Sequence, residues 1–234
     1  MGSGGSEMSS WARGKTSTSR LNADWQEPLV SAEKNLELQE ALKTLRGDDP
    51  RPLLILRDCD GCKNKEGDLL KRTLLDERLL LATGWFHCVR FSHDVVNPEH
   101  PFSIIFKHER HPHIAMSSWD LKTFIQVPRA GQKDVWKSMK RVMGKDYKKS
   151  PESAMKGIMK LLVEYDAIDD REEALKIQVS AKKERGKTAR VKILEKELAI
   201  LAEEREELIE EEASLKELGF KKIKEREELL GSNA

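Results

Sequence analysis

Cysteine is scarce in this chain, aromatic residues are few, and neither charge sign is in clear excess. Three cysteines in 234 residues are far too few for the disulfide framework that staples small secreted domains. Cys59 and Cys62, two residues apart, therefore read as chemistry, while Cys88, in an alternating apolar segment, reads as a small packed side chain. Long apolar runs are also missing. A bilayer span needs about 18 to 20 of them in sequence, and the best stretch, "LLLATGWFHCV", is much shorter, so no membrane span is expected. Lys and Arg total 42 against 41 Asp and Glu, a net charge of +1. A partner held by phosphate neutralisation would call for a basic excess, so no nucleic-acid partner is expected. The only glycine cluster, "GSGG", precedes neither a strand nor a helix pattern, which leaves no phosphate-cradling loop and no expected cofactor. The opening "MGSGGSEMSS" lacks the basic start and apolar core of a signal peptide and resembles an expression remnant. A soluble protein is expected, in the cytoplasm by preference, with a secretory leader replaced by that remnant as the other case.

What is abundant is charge of both signs. Charged residues make up 35% of the chain and apolar residues 38%, a ratio that favours long solvated helices over one large interior. Residues 1–24 are polar and aperiodic and are expected to be disordered or tag-like. A domain is expected over about 25–148, with Trp25 as its first anchor. Its pattern reads as a helix over Val30 to Leu45, a buried strand at Leu53 to Leu56, and a helix after the cysteines interrupted near Asp76. A strand in "WFHCVRFS" follows, then two short strands in "HPHIAMSS" and "KTFIQVP" joined by a turn around Trp119 and Asp120, and a helix over about Lys133 to Met143. Over about 149–232 the texture changes to a helical extension. "SPES" suits a helix start, with Pro151 where its missing N–H does no harm. Leu194, Leu201, Leu208 and Leu215 recur every seventh residue, with Val191 and Leu198 in the companion position. Arg205 and Glu212 fall where that companion position should be apolar. The seam therefore implies either a shift of register, with Ile209 and Leu218 taking over, or a helical hairpin in place of a parallel dimer.

Cys59 and Cys62 follow the apolar run "PLLIL" directly. A strand ending just before Cys59 would place its sulfur at the start of the next helix, where unpaired N–H groups favour thiolate, with Cys62 one turn along to resolve a mixed disulfide. The spacing alone equally fits structural thiols, or half of a copper or zinc site completed by His108, His111 or His113. On their own those histidines read as solvated loop or strand side chains.

The order of elements around this pair resembles the thioredoxin superfamily over about residues 25–146. "PLLILRDCDGC" is similar to that family's strand, turn and helix, "FHCVRFSHDV" to its next strand, and "RHPHIAMSS" to the segment that opens with the family's cis-proline. The resemblance implies an α/β, thioredoxin-like fold with a long helical C-terminal extension. It also implies thiol–disulfide exchange by Cys59 and Cys62, and a substrate groove at His111 and Pro112, with no metal. The sequence departs from the family at Asp58, where an aromatic residue is usual, at the Asp-Gly dipeptide between the cysteines, and in lacking a buried acid on the strand. The added carboxylates oppose a thiolate, so an active pair would be reducing, nearer thioredoxin's potential of about −270 mV than DsbA's of about −120 mV.

Two functions of different class follow. One is a thiol–disulfide oxidoreductase acting on protein clients, dimerised or docked through its helical tail. The other is a redox-inactive thioredoxin-like adaptor whose coiled coil is the working part, or a copper or zinc carrier using the same cysteines.

Overall fold

The computed structural model describes residues 13–28, 35–58, 76–106, 113–128, 131–221, 226 and 228. They fall into two compact units, each assembled from separated stretches: Met1–Leu21 with Gly157–Leu215, and Asn22–Lys156 with Lys216–Ala234.

The second of these units is an α/β domain. Its strands are β1 (Trp25–Gln26), β2 (Leu53–Arg57), β3 (His87–Phe91), β4 (Ile114–Ser117) and β5 (Phe124–Val127). They form one sheet in the order β1-β3-β2-β4-β5. β1, β3 and β2 run parallel, with Ile55 opposite Val89; β4 pairs antiparallel with β2, with Ile55 opposite Ala115, and β5 pairs antiparallel with β4. The apolar run at 53–56 becomes the central strand because every residue of β2 is buried, the pattern of a strand covered on both faces. Leu53 and Ile55 point to one face, where they pack with Ala41, Leu42 and Leu45 of helix α2 (Leu38–Arg46) and with Phe102, Ile105 and Phe106 of one short 3₁₀ turn (Ser103–Ile105) and its caps. Leu54 and Leu56 point to the other face by the period of two. The helices α3 (Glu77–Thr83) and α4 (Gln132–Asp146) contact each other, and α4 also contacts β4 and β5.

Local chemistry sets the element ends. Asp76, where the sequence suggests a break, caps α3: its carboxylate accepts from the amides of Arg78 at 3.0 Å and Leu79 at 3.3 Å, a contact that typically contributes about 1 kcal/mol. Ser118 closes the β4–β5 turn by exchanging hydrogen bonds with Thr123 and donating to Asp120. Trp119, in that turn, is 2% exposed. Its ring lies between the guanidinium groups of Arg46, at 4.5 Å, and Arg226, at 4.7 Å. After Lys216 the chain returns to pair with 146–149: Lys148 and Lys149 donate to the carbonyls of Gly219 and Leu218, Phe220 stacks on Tyr147, and Trp85 Nε1 donates to the Lys216 carbonyl.

The other unit is helical. Helices α5 (Pro151–Glu184) and α6 (Thr188–Lys216) form a hairpin within one chain, the second of the two arrangements the heptad seam allows. Gly186, in the connection, has φ 64°, a left-handed conformation that glycine adopts without steric cost. The seam uses Ile158, Leu161, Leu162, Tyr165, Ile168 and Val179 of α5 with Val191, Leu194 and Leu201 of α6, all buried. Antiparallel pairing shows in the ion pairs, Lys183 with Glu195 and Arg171 with Glu204. Gly157 sits where an added Cβ would be 2.7 Å from Leu215 Cδ1, so an alanine there would require the Leu215 side chain to shift. Residues 13–21, part of the stretch expected to be loose, carry α1 (Lys15–Thr18). They hydrogen-bond to the hairpin through Arg13, Gly14, Thr16, Ser17 and Arg20.

Candidate functional site

Three sequence-derived positions, the start of the cysteine motif, the proline segment and the charged seam, meet the structure in different ways. Cys59, Cys62, His108, His111 and Pro112 lie outside the described residues. Their described neighbours are Asp58 and His113. β2 and β4 run side by side, and the Arg57 amide donates to the His113 carbonyl at 2.9 Å. The chain therefore leaves β2 at Arg57–Asp58 beside the point where it enters β4.

Two polar pairs occupy this end of the sheet. Arg57 is 2% exposed and His113 also 2%, and Arg57 Nη2 lies 2.9 Å from His113 Nδ1, with the guanidinium 5.6 Å from the Phe106 ring centre. A buried guanidinium thus stands on the strand whose sequence lacks a buried acid. Asp58 accepts from Arg90 Nε at 3.0 Å on both oxygens, and Arg90 Nη2 lies 2.8 Å from Asp58 Oδ2. This bidentate contact from the neighbouring strand offsets the charge of Asp58, for which the sequence offers only Lys63 and Lys65 as partial compensation. Neither pair is legible in the local sequence; the one signal is an arginine closing an otherwise apolar strand.

Cys88 behaves as its alternating context suggests. It is 3% exposed, its Sγ faces the carbonyls of Thr83 and Phe86, and burial pushes its thiol up to about 12. A thiol so placed is neither a nucleophile nor a metal ligand at neutral pH. Among the described residues no group of three or more His, Cys, Asp or Glu side chains comes together in a way that could hold a metal ion. The metal alternative rests on Cys59 and Cys62, outside those residues.

The seam positions Arg205 and Glu212 resolve into a polar layer of the hairpin. Arg205 Nη2 bonds Asp169 at 2.8 Å and Glu172 at 2.6 Å. Glu212, 5% exposed, accepts from Tyr165 Oη at 3.0 Å and from Arg20 Nε at 2.5 Å, and the Arg20 guanidinium lies 4.0 Å over the Tyr165 ring. Burial and then Glu212 push the Tyr165 phenol up to about 12. Asp166 and Asp169 receive the Gly14 and Thr16 amides at 2.8 and 2.7 Å. The two residues that spoil the heptad are thus where α6 meets α5 and the 13–21 segment.

The hairpin also carries exposed apolar side chains: Val163, Ile177, Ile193, Ile200 and Ile209. Ile200 lines a shallow groove of about 360 Å³ with Arg171, Ala174, Leu175, Gln178 and Glu197.

No protein-family model, curated protein or solved structure matches this chain. No helix among the described residues is long and apolar enough to cross a membrane.

Proposed function

We propose that this chain is a thioredoxin-like adaptor, an α/β domain without thiol turnover whose helical hairpin docks against a second copy. The thioredoxin-like reading is supported by the strand order β1-β3-β2-β4-β5, with β4 the one strand that runs opposite to the rest. The adaptor reading is carried by one observation: the exposed large apolar side chains of the described residues, Val163 to Ile209, all lie on α5 or α6. Helices that bury one stripe on each other and leave isoleucines outward are suited to further helix packing. Ile193 and Ile200, seven residues apart, share one side of α6 as a coiled-coil stripe does. A second hairpin offers the same stripe in return, the self-complementary contact of a two-fold dimer.

Two measurements test this. Sedimentation of the whole protein should give a dimer whose association survives high salt, because its contacts are apolar. The pair Ile193→Asp and Ile200→Asp should shift it to monomer with helicity unchanged. A monomeric wild type would overturn the docking. In insulin reduction the wild type should match Cys59→Ser. Activity lost in that variant would establish the oxidoreductase reading instead, which draws support from the adjacency of the Arg57 and His113 ends.

A further inference from the structure

The outer surface of α4 and the segment after it concentrate positive charge to a degree that the chain-wide balance conceals. Residues 132–149 carry Lys133, Lys137, Lys140, Arg141, Lys145, Lys148 and Lys149 against Asp134 and Asp146, and Asp146 is buried. The reason is amphipathicity. Val135, Trp136, Met139, Val142 and Met143 take the inner side of α4, so Lys133, Lys137 and Arg141, at intervals of four, are exposed along its outer side. At 1.5 Å per residue they stand about 6 Å apart along the helix.

These cations line a cleft. Lys137, Lys140, Arg141, Lys148, Lys149 and Lys221 surround a space of about 570 Å³ together with Gly144, Tyr147, Ser150, Pro151 and Glu152. Glu152 is the one carboxylate there among the described residues, and Lys140 holds it at 2.6 Å. Lys221 Nζ donates to the Gly144 carbonyl at 2.6 Å, which fixes its ammonium at the rim. A second groove, of about 530 Å³, continues from the first, sharing Lys137 and Arg141 and adding Ile125, Pro128, Asp134 and Ser138. The result is a track rather than a point.

We infer that this basic track binds the phosphate backbone of a nucleic acid. Six cations against two carboxylates, Asp134 and the Glu152 already paired with Lys140, form a local field, and fields in physiological salt are set within about 8 Å, so a net charge of +1 summed over the chain does not govern it. Five of the six are lysines. Lysine acts as a strongly hydrated point charge, whereas recognition of one phosphate or carboxylate in a fixed geometry favours the arginine fork. Trp136 and Tyr147 are buried, which leaves no exposed ring in the track for a base to stack on. The chemistry is therefore that of backbone contact without sequence reading.

The test is fluorescence anisotropy of the full chain with a labelled 20-base-pair DNA duplex at several salt concentrations. With about five phosphates neutralised, affinity should fall about 500-fold between 50 and 200 mM salt. In Lys137→Glu with Arg141→Glu, both exposed residues, binding at 50 mM should fall at least tenfold, and the remaining salt sensitivity should shrink to about 40-fold. Lys182→Glu with Lys192→Glu, on the hairpin, should leave both unchanged. Absence of duplex binding at 50 mM salt, or equal loss in the hairpin variant, would overturn the proposal. So would a poly-glutamate peptide of equal charge competing as well as the duplex, which would make the track a dock for acidic protein.

Discussion

Asp49 shows how one side chain ties an unremarkable loop to the domain. Its carboxylate holds Arg51 through the backbone amide and guanidinium at 2.6 to 3.2 Å, and His87 Nδ1 lies 3.1 Å away. Burial works against the charge, but the close approach of His87 and the bonds from Arg51 outweigh it and hold the carboxyl well below the usual range. A carboxyl lowered on folding stabilises the native state above its ordinary pKa of about 4, and that stabilisation is lost as pH falls through the folded value. Asp49→Asn should therefore cost about 1 to 3 kcal/mol at pH 7. In thermal melts the gap to wild type should narrow steadily below about pH 4. A gap that stays constant down to pH 2 would refute the assignment. Asp49, preceding a proline in "RGDDPRP", read only as part of a breaker; its partner His87 lies across the fold, and no local pattern announces it.

Among elements, the hairpin explains why its sequence repeat is imperfect. An apolar residue at 205 or 212 would complete the heptad, yet both positions face polar partners: Asp169 and Glu172 for Arg205, Tyr165 and Arg20 for Glu212. Polar contacts of this kind, buried at Glu212 and partly buried at Arg205, fix register, because sliding the helices by one turn strands a charge. The Arg20–Glu212 pair should be coupled. In a double-mutant cycle with Arg20→Ala and Glu212→Gln, thermal unfolding should return an interaction energy of about 1 to 3 kcal/mol. Additivity within about 0.3 kcal/mol would show the 13–21 segment to be loosely held after all. The repeat and its two offending residues were legible in the sequence. Their partners were not, since Arg20 lies 192 residues from Glu212 in a stretch whose polar composition carries no periodicity.

At the scale of the whole molecule, chain ends far apart in sequence complete each unit. In the α/β unit Arg226 and Asp146, each 1% exposed, pair at 2.7 Å. Asp146 also accepts from the Trp119 amide, at 3.1 Å to one oxygen. Burial pushes the Asp146 carboxyl up, while Arg226 and that amide pull it back. Arg226→Met leaves a buried carboxylate without its cation and should cost about 3 to 5 kcal/mol. The loss should appear as a lower melting temperature in near-ultraviolet circular dichroism, where Trp119 reports. Arg226→Met combined with Asp146→Leu should recover much of it, since replacing both members of such a pair by apolar groups is often neutral; no recovery would place the cost elsewhere.

The sequence by itself determined four of the sheet's five strands, β2 to β5, the inner side of α4, the inert packing of Cys88 and the seam of the hairpin, because each is written in apolar runs or hydrophobic periods that act within one element; the two-residue β1 carries no such pattern. Only the tertiary structure decided that the hairpin closes within one chain, that Arg90 answers Asp58, that Arg57 meets His113, and that the basic residues of α4 and Lys221 share a cleft. Those are meetings of charges between distant segments. A charge's favourable partner is set by where the fold brings it and how far water is excluded there, and neither quantity is carried by local spacing.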